Sequence, residues 1–342
     1  MLVITGAGLW CPAGQFHVDP GEPVPCAVIT HAGALGPAAA SQRIITTPTL
    51  AALGGIEGRA LQPVEVGDWL HLEGVRLRLH PSGAGPGATV AEVDDGRETW
   101  VYAGRHRRIA DPTARAYAAP SCDRLVLDTR YGLPVYRWGE PERRLEEVLS
   151  WWSANEDQGR ASVLLCESPG KAQRILARLA GRLDRPVRIH PDLVPAVEVY
   201  RREGIALADT EPVADVHRRH RVAGDLILAP PDVYRTPWMR RLGTVGVGRA
   251  SGEMQIRGNR RRLGVDRGFV VSDHPDWTEI LQTAEESPAQ EVLTIGAHAE
   301  TVARYLVERG RPARFLGARR VGVDSDPALA SSARGARSGP SQ

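Results

Sequence analysis

The sequence predicts an α+β protein in which a strand-rich host is interrupted by a segment of alternating strands and helices. Three observations carry this reading. Short apolar runs cut by Gly and Pro fill the chain up to about residue 140, strand–helix alternation begins near Pro141, and short strands with amphipathic helices return from Gly268.

In the first stretch, Val24–Thr30 reads as an apolar strand, and Val64–Leu79 alternates like a hairpin about Glu73-Gly74. Thr89–Val93 and Glu98–Ala103 flank Asp94-Asp95-Gly96, a second hairpin signal, and Leu125–Asp128 has the continuous apolar character of a buried strand. Pro141–Ala154 is helical by period, with Leu145, Val148, Leu149 and Trp152 on one face. Ala161–Cys166 is an apolar strand, followed by a helix over Lys171–Leu183 that turns Ile175, Leu176 and Leu179 inward. Val187–His190, Pro195–Gly204 and Asp225–Ala229 continue the alternation and predict a parallel sheet. Beyond Gly268 the expected elements are a strand at Phe269–Ser272, a helix at Trp277–Thr283, a strand at Glu291–Ile295, a helix at Glu300–Arg309 and a strand at Ala313–Leu316. The expected division is a host over 1–140 and 263–322, an inserted domain over 141–262, and an Ala/Ser/Gly/Arg-rich disordered tail over 323–342.

Net charge is only +2, so affinity for nucleic acid would have to come from a local patch. Lys171 is the sole lysine; the other basic residues are arginines. Cys11, Cys26, Cys122 and Cys166 are widely spaced, without a C-x-x-C pair, and read as buried free thiols rather than a zinc knuckle or a disulfide framework. No apolar stretch approaches the length of a bilayer span, and the expected location is the cytoplasm.

Local motifs go further. The segments CPAGQFHVDP (11–20), AVITHA (27–32), LDTRYGLPVYRW (127–138), SPGKAQRIL (168–176), GVDRGFVVSDHPDW (264–277) and AETVARYL (299–306) occur in an order and spacing that resembles the metallo-β-lactamase-fold nucleases of the β-CASP family. Within that family the likeness is to the ligase-associated DNA exonucleases, related to RNA 3′-end-processing nucleases. The resemblance implies a four-layer αββα sandwich carrying an inserted αβ domain, and a pair of Zn or Mn ions that activate a bridging hydroxide.

The residues that the family uses as ligands are mostly missing here. Its T-H-x-H-x-D-H loop reads Thr30-His31-Ala32-Gly33-Ala34-Leu35-Gly36, so only the first His remains. Its H-P-x-G-H segment ends in Ala84, its bridging Asp is Arg105, and its C-terminal T-H-G ligand is Gly296. Six ligand positions are lost over four segments. Gly, Leu and Ala carry no donor atom and Arg stays protonated, so no cofactor is expected.

Companion residues survive. Asp19 matches the first motif and His31 the first ligand, as remnants of the metal set. Asp128, Asp273 and His274 match the acid/base residues of the family. His274 with Asp128 reads either as a residual acid/base pair or, favoured here, as a hydrogen-bonded contact joining the two domains. Ser168, Gly170 and Lys171 lie between an apolar strand and a helix, where backbone N–H groups and the lysine can hold a phosphate; a plain turn capped by Ser168 is the alternative. Arg257, Arg260, Arg261, Arg262 and Arg267 form the densest cationic run, which reads evenly as nucleic-acid contact or simple solvation, and the resemblance implies that Arg105 places a fixed cation where metal would sit. His217 and His220 form an H-x-x-H among arginines and read as a solvated basic stretch, while His106 is expected to point away from the site.

Three functions compete: an inactive nucleic-acid-binding homologue serving as scaffold or regulator in DNA repair, an active DNA or RNA exonuclease with an atypical metal site, and reuse of the cleft for a small molecule. The first is favoured. Its expected partners are a single-stranded or end segment of DNA or RNA, an ATP-dependent DNA ligase and a helicase.

Overall fold

A computed structural model describes residues 1–213 and 222–317. The chain opens with a six-stranded sheet in sequential order: β1 (Val3–Thr5), β2 (Gly8–Cys11), β3 (Phe16–Val18), β4 (Cys26–Val28), β5 (Arg43–Thr46) and β6 (Leu61–Pro63). Two short helices, α1 (Leu35–Ala38) and α2 (Pro48–Gly54), lie between its later strands. The second sheet begins with an antiparallel meander, β7 (Trp69–Leu72), β8 (Val75–Pro81), β9 (Thr89–Asp94) and β10 (Thr99–Ala103), and continues in parallel with β11 (Arg124–Asp128). The turn chemistry accounts for both hairpins. Leu72 pairs with Val75 across Glu73-Gly74, and Asp94 pairs with Thr99 across a turn in which the Asp94 and Asp95 carboxylates accept from the following backbone N–H groups.

After β11 the chain leaves this sheet and builds a third. Helix α3 (Pro141–Glu156) precedes β12 (Ala161–Leu165), α4 (Lys171–Leu179), β13 (Val187–Ile189), α5 (Val194–Arg202) and β14 (Thr210–Pro212). Then come β15 (Leu226–Ala229), α6 (Pro237–Arg241), β16 (Val245–Ala250), α7 (Arg257–Leu263) and β17 (Arg267–Phe269). All pairs in this sheet are parallel, in the order β14-β13-β15-β12-β16-β17. The chain returns through α8 (Trp277–Glu286), β18 (Glu291–Ile295), α9 (Ala299–Glu308) and β19 (Ala313–Phe315), and β18 adds in parallel to β11. The protein is a mixed α/β sandwich.

Side-chain alternation sets the layers. In β11, Val126 points into the core between the first two sheets with Phe16, Ile45 and Leu77, whereas Leu125 and Leu127 pack on Ile280 of α8 and Val302 of α9. The other face of the first sheet buries Ala27, Ile29 and Ile44 against Leu35 and Ala38. Helices therefore flank two stacked sheets. Strands β12 and β15 are apolar on both faces because helices cover both, with Leu164 and Leu228 on the α3–α4 side and Val163 and Ile227 on the α6 side. Each such fully buried aliphatic side chain contributes roughly 1.5–3 kcal/mol.

Several expectations shift. The strand expected at Phe269–Ser272 ends at Phe269, and its partner β16 makes it an edge of the third sheet, so that sheet reaches past residue 262. The helix from Lys171 stops at Leu179 rather than Leu183, because Ala180 leaves helical backbone (ψ 127°). Helix α7 was not foreseen, since it buries none of its side chains. The His217/His220 pair and the tail beyond residue 317 lie outside the described residues.

Candidate functional site

The carboxyl ends of several parallel strands face one cleft: β4 leads to His31, β10 to Arg105, β11 to Asp128, β18 to Gly296 and β12 to Ser168. Ligand sites of open α/β sheets lie at such ends. Here the cleft runs between the first two sheets and the third, with a volume of about 280 Å³, and its lining includes Gly33, Arg105, Arg130, Lys171, Asp273 and His274.

Asp19 anchors one wall. Its backbone is left-handed (φ 45°), and its carboxylate accepts from the Thr30 N–H at 2.8 Å and from the Thr30 hydroxyl. Burial pushes its carboxyl up to about 6, although those hydrogen bonds and Arg105 pull the other way. His31 Nε2 lies 3.6 Å from Asp19 Oδ2, while His31 Nδ1 is buried without a partner. Burial, then Arg105 and His274, hold this imidazole well below its ordinary range, so it is neutral.

Arg105 is the centre of the site. Its guanidinium lies flat against Gly33: a Cβ at that position would sit 2.3 Å from Nη2 and 2.5 Å from Cζ and Nη1. The glycine at 33 and the arginine at 105 are thus sterically matched. Among the described residues no carboxylate lies within 4.0 Å of the guanidinium, yet its charge acts on Asp19, His31, Asp128, Asp273 and His274. A second glycine stands in the same relation to a charged group. A Cβ at Gly296 would meet Asp128 Oδ1 at 2.6 Å, so the carboxylate occupies space that a larger residue would need. Asp128 accepts from the Arg130 N–H at 2.9 Å and faces His274 Nδ1 at 3.6 Å, which is an ion-pair distance rather than a hydrogen bond. Burial raises the Asp128 carboxyl, but His274 and the Arg130 N–H outweigh it and hold it low; burial also lowers His274. Tyr131 packs edge-on against that ring, and Trp138 Nε1 donates to the His274 carbonyl at 2.9 Å.

Behind this wall runs a chain of alternating charge, buried except at Glu167. Glu167 pairs with Lys171 at 2.8 Å, Lys171 with Asp273 at 3.2 Å, Asp273 with Arg174 at 2.7 Å, and Arg174 with Asp111. Arg174 also donates to the carbonyls of Ser272 and Ala84, both at 2.8 Å. Burial alone would raise the Asp273 carboxyl; Lys171, Arg174 and Arg105 overcome it and keep it ionised. The chain ties the third sheet's unit to the other two sheets.

This geometry changes the role of the strand–helix turn. Lys171 is buried and already meets two carboxylates. Ser168 is not the cap of α4; it accepts from Gln173 Nε2 at 2.8 Å, and Gln173 Oε1 takes the Gly170 N–H at 2.9 Å. The donors expected to face a phosphate are engaged within the protein. Arg260, Arg261 and Arg262 are exposed on α7, outside the cleft lining. His106 points to α8, 3.0 Å from Thr283 Oγ1, and burial lowers it to about 4. The four cysteines are buried and free. Sequence reasoning missed Arg174, Arg130 and Arg249. Arg174 follows the SPGK segment by three residues and precedes the inward-facing Ile175 and Leu176, which was the available signal.

As donors for two divalent ions, these side chains do not fit. Among the described residues no three His, Cys, Asp or Glu side chains converge on one point, Asp273 is saturated by two cations, and a guanidinium projects among the remaining donors.

No family model matches the chain. Over 242 residues, 70% of its length, the chain is 26% identical to a protein of Opitutus terrae (strain DSM 11246 / JCM 15787 / PB90-1) described as a probable DNA ligase. The match covers 23% of that protein, so the chain spans under a quarter of its relative's length. No helix among the described residues is long and apolar enough to cross a membrane.

Proposed function

We propose that this chain is a catalytically inactive relative of the ligase-associated β-CASP nucleases that binds nucleic acid, acting as scaffold or regulator in DNA repair or end processing. The observation that carries the reading is Arg105 lying on Gly33. A fixed guanidinium with free donors stands in a cleft whose other charged groups are partnered, and it offers bidentate hydrogen bonds to a phosphate without the means to activate water. Arg130 and Arg249 flank it in the same lining. The likeness to a segment of a probable DNA ligase supports a setting beside DNA ends. Lys171 contributes by positioning Asp273, and Asp128 with His274 joins the domains instead of moving protons.

Fluorescence anisotropy on a single strand and on a duplex with one labelled end tests this. Arg105→Ala should weaken binding roughly 10- to 150-fold, the equivalent of the 1.5–3 kcal/mol of a charge-assisted contact. Unchanged affinity would remove the cleft from any nucleic-acid role.

A further inference from the structure

We infer that the edge of the third sheet formed by α6, α7 and β17 is a second binding surface, one that holds the phosphate backbone of duplex DNA independently of the cleft. The nucleic-acid class rests on the function proposed above, whereas the surface itself stands on charge and packing alone.

Residues 235–267 carry nine arginines against two acids, Glu253 and Asp266, in a chain whose net charge is only +2. The remainder of the protein is therefore net acidic, and the positive charge is gathered on one segment. Elsewhere arginines are commonly paired with carboxylates; within this segment Arg249 alone, 2.6 Å from Glu167, and among the described residues the other eight have no ion-pair partner. Those eight are all exposed.

Packing brings them together. Tyr234 Oη donates to the Gly264 carbonyl at 2.6 Å, tying the loop before α6 to the end of α7. Arg235 covers the Tyr234 ring at 4.9 Å and lies against Gly264, where a Cβ would be 2.6 Å from its Nη2. Arg240 and Arg241 end α6, Arg260, Arg261 and Arg262 end α7, and Arg267 opens the edge strand. Arg235 therefore stands beside the end of α7 that carries Arg260, Arg261 and Arg262, and a polyanion lying along this edge meets cations from both helices. At the other end of α7, Asn259 Nδ2 donates to the Glu253 carbonyl at 2.9 Å, so the surface starts at the cleft mouth.

The partner class follows from what is missing beside the arginines. The Tyr234 ring is covered by Arg235, and Trp238 packs edge-on against His190 at 4.6 Å. Both rings are only partly exposed while the eight arginines are exposed, and the surface therefore reads backbone charge rather than single-stranded bases.

The test is binding to a closed circular duplex, which has no ends, across a salt series. Arg235→Ala/Arg240→Ala/Arg241→Ala and Arg260→Ala/Arg261→Ala/Arg262→Ala are compared with wild type and with Arg304→Ala on α9. Each triple variant should flatten the log–log salt slope by about 2–3, since each duplex phosphate neutralised contributes roughly 0.9, and should weaken binding about tenfold or more at low salt. Arg304→Ala should match wild type. The same proteins on a linear duplex, alongside Arg105→Ala, read the cleft separately. If the triple variants bind the circle as wild type does, the surface assignment fails even where Arg105→Ala still weakens binding to ends. Binding to phosphatidylserine vesicles with none to the circle would also overturn it. Loss of circle binding in the triple variants, with end binding indifferent to Arg105, would uphold the surface and reject the cleft.

Discussion

Replacing Gly33 with alanine perturbs the cleft through a single methyl group. Gly33 sits in a one-turn 3₁₀ segment, Ala32–Ala34, whose backbone lies outside the left-handed region, so alanine adds no backbone strain of its own. The new Cβ would lie 2.3 Å from Arg105 Nη2, well inside contact distance. The obstructing atoms are the far end of a flexible side chain, and the clash resolves by turning the guanidinium away at a cost of about 0.5–1.5 kcal/mol in rotamer strain. Folding stability should therefore fall little, while the donors leave the position from which they would hold a phosphate. Loss of one charge-assisted contact corresponds to roughly a 10- to 150-fold weaker Kd. The assay is anisotropy on end-labelled DNA for Gly33→Ala, Arg105→Ala and the double variant. Since both single changes act through one guanidinium, the double variant should bind no worse than Arg105→Ala alone. Undiminished affinity in Gly33→Ala, or a double variant whose loss equals the product of the two single losses, would refute the pairing.

Other expectations follow from the buried charges. Asp273→Asn leaves Lys171 short of one of its two carboxylates and Arg174 of one of its own; chemical denaturation should show a loss of about 3–5 kcal/mol, and a loss under about 1 kcal/mol would contradict the clamp. His106, held near 4 when folded, stays neutral where the unfolded chain binds a proton, so stability should fall as pH drops from about 6.5 to 4, and His106→Gln should flatten that fall. Asp19, raised to about 6, acts in the opposite sense: its contribution weakens stability as pH climbs from about 4 to 6, and Asp19→Asn should steepen the loss on acidification. Both are read from denaturation midpoints across a pH series. His274→Ala should lower the melting temperature rather than any hydrolytic rate, because it removes a buried ring that packs edge-on against Tyr131.

Legibility in the sequence tracked how local the determinants are. The Asp94-Asp95-Gly96 turn is closed by its own carboxylates, and the face of α3 repeats Leu145, Val148 and Trp152 within one helix, so both were readable. Helix α7 was not, because a Gly-containing basic stretch that buries no side chain has no apolar period to detect. The second sheet's parallel half was also hidden, since β11 meets β18 only after the entire third sheet has intervened. In the site, the residue types at positions 33, 84, 105 and 296 were visible one by one. What could not be seen was that Gly33 and Arg105 fit each other, or that Lys171, after β12, meets Asp273, after β17, and is thereby engaged within the protein. Those are tertiary pairings between segments with no neighbouring signal.

The most direct test of the account puts binding and chemistry in one tube. End-labelled DNA is mixed with the full chain in Mn²⁺ or Zn²⁺, complex formation is followed by anisotropy, and strand length is then read on a denaturing gel. A guanidinium-centred cleft predicts a salt-sensitive complex in which every strand keeps its length, with or without added metal. Shortening of the labelled strand that requires Mn²⁺ or Zn²⁺ and disappears in His31→Ala or Asp19→Asn would contradict it.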